Sequence, residues 1–66
     1  MTELNIGDSL KVEDVVKYGR FEFIVIEIGE FALARHRNIT LMLPTVYDES
    51  FIEEDEFGFT HKAYRN

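Results

Sequence analysis

The stretch Arg20-Phe21-Glu22-Phe23-Ile24-Val25-Ile26-Glu27-Ile28 decides the fold class of this chain. It is built almost wholly from aromatic and β-branched residues, which suit a pleated surface better than a helix, and it stops at Gly29. Working outward, Gly29-Glu30 separates it from Phe31-Ala32-Leu33-Ala34-Arg35. A two-residue loop with glycine first is the signature of a type II′ hairpin. His36-Arg37-Asn38 makes a second polar turn, and Ile39-Thr40-Leu41-Met42-Leu43 then alternates up to Pro44, which cannot donate to a ladder. These three strands are expected to form an antiparallel meander.

Alternation along the central strand sends Phe21, Phe23 and Val25 to one face and Ile24, Ile26 and Ile28 to the other. A sheet with one wet face alternates apolar with polar, whereas both faces here are apolar. The second face therefore needs a cover, supplied by Val15/Val16, by Phe51/Ile52, or by another subunit. Ile24, Ile26 and Ile28 are on this ground a candidate interface of a homo-oligomer.

Before the meander, Gly7-Asp8 signals a turn, and Leu10 and Val12 alternate with Lys11, so a first strand is expected over Ser9–Glu13. A competing pattern has Asp8 or Ser9 capping a short helix through Val12, Val15 and Val16 that ends at Gly19. Glu13–Tyr18 suits one helical turn in either case. After Pro44, Phe57-Gly58-Phe59-Thr60-His61-Lys62-Ala63-Tyr64 has the composition of a last strand. The expected fold is a single small β domain over residues 1–66, an SH3-like barrel or curled antiparallel sheet of about five strands with a short helical turn. Its core should draw on Leu10, Val12, Phe21, Phe23, Val25, Leu33, Leu41 and Leu43.

The chain has 66 residues and no cysteine, so neither a disulfide nor a thiolate metal site can brace it. Apolar packing must do that work, and a hydrophobic fraction of 45% with six Phe and three Tyr is enough to exclude a disordered tail. Met1-Thr2-Glu3-Leu4-Asn5 has neither the basic nor the apolar region of a signal peptide, and the run Phe23–Ile26 is too short to cross a bilayer. A cytoplasmic protein without a membrane partner is expected. Size and composition suit a phage or bacterial accessory protein.

Thirteen acidic against seven basic side chains give a net charge of −6, which repels phosphate backbones and attracts a basic protein surface. The acids concentrate in one run: Asp48, Glu49, Glu53, Glu54, Asp55 and Glu56, interrupted by Phe51 and Ile52. A loop or short helical turn is expected there. Six carboxylates in so short a span can approximate the charge spacing of a nucleic-acid backbone, with Tyr47, Phe51 and Phe57 giving apolar contact area. Asp48, Glu49, Glu53, Glu54, Asp55, Glu56 and Phe57 are accordingly the candidate partner-binding residues. Calcium is not expected, because an EF-hand spaces its ligands alternately and these acids are mostly consecutive.

Chemistry-bearing patterns are otherwise thin. His36 sits between two arginines and His61 beside Lys62, without the tight ligand spacing a metal needs, so both are expected to be structural. Ser9 and Ser50 lack a G-x-S-x-G context, and no P-loop, dinucleotide fingerprint or zinc-protease motif occurs. No catalysis and no cofactor are expected. Tyr18-Gly19-Arg20-Phe21-Glu22-Phe23-Ile24-Val25 partly resembles the aromatic RNA-stacking strand of RRM domains. There Glu22 replaces a small residue, and the chain is short for that fold. Val46-Tyr47-Asp48 is a superficial echo of the SH3 peptide-binding strand, without its tryptophans. The expected function is a non-enzymatic protein-binding module with an acidic face. The alternatives are a structural role for the apolar sheet face and an SH3-like nucleic-acid or ribosome-associated module.

Overall fold

A computed structural model of the chain describes residues 1–48 and 61–66. The strands are β1 (Thr2–Glu3), β2 (Val15–Tyr18), β3 (Phe21–Ile28), β4 (Ala32–His36), β5 (Ile39–Leu43) and β6 (His61–Arg65). They form one antiparallel sheet in the order β1-β6-β2-β3-β4-β5. The two outermost strands, β1 and β5, do not pair with each other, so the sheet is open and not a closed barrel. No helix occurs among the described residues.

The central meander follows the expected pattern, and the turns depart from it. Tyr18 pairs with Phe21 across Gly19-Arg20, and Gly19 adopts φ of 62°. Glycine with positive φ first in a two-residue loop is the type II′ device, and it operates here instead of at Gly29. Gly29 does not take positive φ; Gly29, Glu30 and Phe31 form a three-residue loop between Ile28 and Ala32. Gly19 is thus a hairpin residue and not a helix terminus. Val15-Val16-Lys17-Tyr18 becomes a strand where a helical turn was expected. Two adjacent β-branched residues and a tyrosine favour the pleat once Phe21–Ile24 is available to pair.

Only Ser9 of the expected strand Ser9–Glu13 pairs, in an isolated bridge to Val46. Gly7, Leu10 and Tyr47 extend that contact: their N–H groups donate to Tyr47, Thr45 and Asp8 carbonyls, all at 2.8 Å. Lys11–Asp14 then turns, with the Asp14 N–H on the Lys11 carbonyl at 3.0 Å and Glu13 at φ of 77°. Glu13 N–H donates to the Val25 carbonyl while Val25 N–H donates to Asp14, so two residues oppose one in a bulge. A glutamate in the left-handed region carries about 1–2 kcal/mol of strain. Glu13→Gly should therefore raise stability by about 0.5 kcal/mol, after allowing for the entropy glycine adds to the unfolded chain. A urea titration checks this, and a fall in midpoint would mean that the Glu13 side chain stabilises the turn.

A second bulge, between Val25 and Glu27 on β3, changes which side chains share a face. Ile24 pairs with Arg35 and Val25 with Ala34, but beyond the bulge Ile28 pairs with Ala32. Directly opposed residues share a face. Ile28 therefore lies on the core face with Val25 and Ala32, Ile24 lies on the outer face, and Ile26 is the extra residue. The expected stripe of three isoleucines does not form. All three are exposed, and none of the covers expected from the chain's described residues lies over them.

Among the described residues the core has a different membership from the one expected. Leu4, Leu10, Val16, Phe23, Val25, Ala32, Ala34, Tyr47 and Ala63 are buried, with Leu41 and Leu43 packed against them. Leu10, Phe23 and Val25 were expected in it, as were Leu41 and Leu43, which pack against it partly buried. Val12 (53% exposed) and Phe21 (47%) were also expected but lie outside, and Leu33 is half-buried on the outer face beside Met42. Val12 is at the tip of the Lys11–Asp14 turn, and Phe21 sits at the end of the sheet beyond the cover of the 4–10 and 45–47 segments. Three alanines allow those segments close approach, which a search for large apolar residues overlooks.

Candidate functional site

Of the candidate acidic residues, Asp48 is described: it is half-buried and follows Tyr47. Glu49, Glu53, Glu54, Asp55, Glu56 and Phe57, with the anchors Phe51 and Ile52, lie outside the described residues, as do the first four residues of the expected last strand. His36 is half-buried. Its ring is 5.4 Å from Phe21 and 5.5 Å from Phe23, and its Nδ1–H donates to the Glu22 carbonyl at 3.0 Å. Among the described residues no group of three or more His, Asp or Glu could hold a metal ion, and no helix is long and apolar enough to cross a membrane.

Register sorts the charges into two poles that the linear sequence disguises. The Gly19-Arg20 and Arg37-Asn38 turns lie at the same end of the sheet, and β6 begins there, with Tyr18 paired to both Phe21 and His61. Lys17 and Lys62 are cross-strand neighbours in the next row, beside Glu22. Among the described residues, this end gathers Lys17, Arg20, Arg35, Arg37 and Lys62 against one acid, Glu22. The Arg20 guanidinium lies 5.6 Å from the Phe21 ring centre, and Arg35 Nε donates to the Arg37 carbonyl at 2.8 Å. Arg37 closes its two-residue turn at φ of 55°, a strained position for a non-glycine residue. Tyr18, Phe21 and Ile39 are exposed on the core-face side of the same end.

The opposite end carries Asp8, Glu13, Asp14, Glu27 and Glu30 against Lys11 and Arg65. Here Asp14 is buried, 2% exposed, and its carboxylate takes two parallel bonds of 2.9 Å from Arg65, Nε to Oδ1 and Nη2 to Oδ2. The Lys11 N–H adds a third at 2.8 Å, and Arg65 Nη2 also donates to the Ser9 carbonyl at 2.9 Å. Burial alone would push the Asp14 carboxyl up. The Arg65 hydrogen bonds, the Lys11 N–H and the nearby positive charges outweigh it and hold the group below its ordinary value. A shallow depression of about 150 Å³, lined by Lys11, Val12, Glu13, Asp14, Arg65 and Asn66, opens beside this pair. Three donors hold the carboxylate, and the pair ties β6 to the 9–14 segment.

A second depression, about 250 Å³, lies on the outer face at the acidic end, lined by Glu27, Gly29, Glu30, Phe31, Leu33 and Met42. Leu33 and Met42 are cross-strand partners and Glu27 is opposite Leu33, so the three stand in one row. Phe31 is 48% exposed and Met42 66%. This surface is apolar at its floor, acidic at its rim, and open along β5. In a two-residue hairpin the closing pair is hydrogen-bonded, here His36 with Ile39, and bonded pairs then alternate. The N–H and C=O groups of Thr40 and Met42 consequently face away from β4, along an edge that no other described strand occupies. Comparison of the chain with protein-family models, with curated proteins and with solved structures finds no match.

Neither the free β5 edge nor the acidic groove was among the residues singled out from sequence. Pro44, directly after Leu43, was the signal for the edge. The poles needed the connectivity of the meander, because Arg20 and Arg37 lie far apart in the chain and meet only through the register.

Proposed function

We propose that this chain is a non-enzymatic protein-binding module that takes an extended, basic and apolar segment of a partner protein along β5. The observation that carries the proposal is the coincidence of a strand edge that no other described strand occupies with the acidic, apolar-floored groove of Glu27, Glu30, Phe31, Leu33 and Met42. An added strand gains main-chain hydrogen bonds from Thr40 and Met42, while its alternate side chains reach the groove. Lysine or arginine beside Glu27 and Glu30, with apolar residues over Leu33 and Phe31, is the complementary pattern. The net charge of −6 adds long-range attraction for such a partner, and the acids of residues 48–56 contribute most of it.

Selection from a display library of random segments of about ten residues tests this, since that length spans a strand edge. Enriched sequences should alternate basic with apolar positions. Their binding should weaken about tenfold in Met42→Pro, which removes an outward N–H at an edge where proline is otherwise tolerated. Raising salt should weaken it further. No enrichment, or equal binding by Met42→Pro with an unchanged melting temperature, would refute the β5 site.

A further inference from the structure

We infer that the basic end of the sheet is a second, separate binding site, for single-stranded nucleic acid. Two requirements of such a site meet there: cations that follow a phosphate backbone and exposed rings on which bases stack. Phe21 and Tyr18 are paired residues on one face of the β2–β3 hairpin, and both are exposed. The Arg20 guanidinium lies over the Phe21 ring at 5.6 Å and the His36 ring is tilted against it at 5.4 Å, while Phe21 stays 47% exposed. Arg20 and Arg37 occupy turns two strand spacings apart, about 10 Å, at the rim of this shelf. Lys17 and Lys62 continue the positive surface on the outer face behind Tyr18.

Along the sequence the acids behind the net charge of −6 are unevenly spread. Five of the thirteen acids, Glu49, Glu53, Glu54, Asp55 and Glu56, belong to the 49–60 segment. The described residues carry eight acids against all seven Lys and Arg, and five of those seven bases stand at this one end, where Glu22 is the single acid among the described residues. Among the described residues, a phosphate backbone would meet mostly positive charge at this end. Phe21, 47% exposed at a strand end and touching the core through His36, contributes little to the core.

The test uses the whole chain with fluorescein-labelled oligothymidine and oligouridine of about fifteen nucleotides, long enough for one small β domain. Saturable binding at low salt is expected, with log affinity falling against log salt at a slope of about −2 to −3, as for three or four neutralised phosphates on a single strand. Phe21→Ala should weaken binding at least about fivefold, the loss expected of one stacked base. Arg20→Gln with Arg37→Gln, which removes charge but no aromatic ring, should weaken it and flatten the salt slope. Absence of binding at low salt overturns the inference. So does displacement by inorganic polyphosphate at equal phosphate concentration with Phe21→Ala unaffected, because the surface would then be a charge patch without a stacking site.

Discussion

Phe23→Ala should cost about 4 kcal/mol, the loss typical of a buried aromatic truncated to alanine. A chain of this length holds about 3–10 kcal/mol in all, so most of the native population should disappear. The size of the effect follows from position. Phe23 is 5% exposed, pairs with Val16, and rests on the His36 ring. Few other large side chains share that core: its neighbours include three alanines, which contribute close approach and little apolar area. Ile24→Ala, one residue on and facing outward, should cost less than about 1 kcal/mol. Urea denaturation of the two variants beside wild type checks the contrast. Equal losses would mean that the outer face is covered after all, and that β3 is buried on both sides.

The second large effect is expected at Asp14. Asp14→Ala removes an acceptor of three hydrogen bonds and strips Arg65 of its partner, at a cost of about 3 kcal/mol. The figure sits at the low end for broken buried pairs because the Arg65 side chain is partly exposed and can rehydrate. The pH dependence has a definite sign. Asp14 holds its proton less tightly in the fold than its ordinary value of 3.8, because the Arg65 and Lys11 bonds overcome the burial that opposes them. A lowered carboxylate stabilises the fold fully above the unfolded value and loses that contribution as the pH falls through the folded one. The stability gap between wild type and Asp14→Ala should therefore be constant near neutrality and close below about pH 3.8. Chemical denaturation at several pH values measures the gap directly, free of the charge repulsion both proteins share. A gap that stays open in acid would assign Asp14 a packing role instead.

The meander was legible in sequence because its signals are local. Arg20–Ile28 and Ile39–Leu43 declare themselves by composition and alternation, and the second has the expected bounds. The parts that were not legible depend on partners distant in the chain. Val15–Tyr18 is short enough to suit a helical turn and becomes a strand only because β3 lies on one side and β6 on the other. Thr2–Glu3 has no periodicity to detect; pairing with Tyr64 and Arg65 alone makes it a strand. The bulge at Val25–Glu27 cannot be read from alternation, since a bulge is a break in alternation, and it moved Ile28 to the other face. For the candidate site, charge composition pointed to a basic partner but placed it on the acidic run. The sheet register was needed to show that the remaining charges divide between two ends.

The position of β6 bears on how the chain is assembled. It lies between β1 and β2, yet it follows all five other strands in chain order. During synthesis, β2 to β5 can pair as they emerge, while β1 has no neighbour until His61–Arg65 arrives. Such long-range closure places folding in the slower millisecond-to-second regime of β proteins. Until then a gap one strand wide stands open, with Val16 uncovered where Ala63 will pair. Another nascent chain's β6 matches that gap as well as the chain's own, so crowded polysomes are where strand-exchanged dimers should first appear.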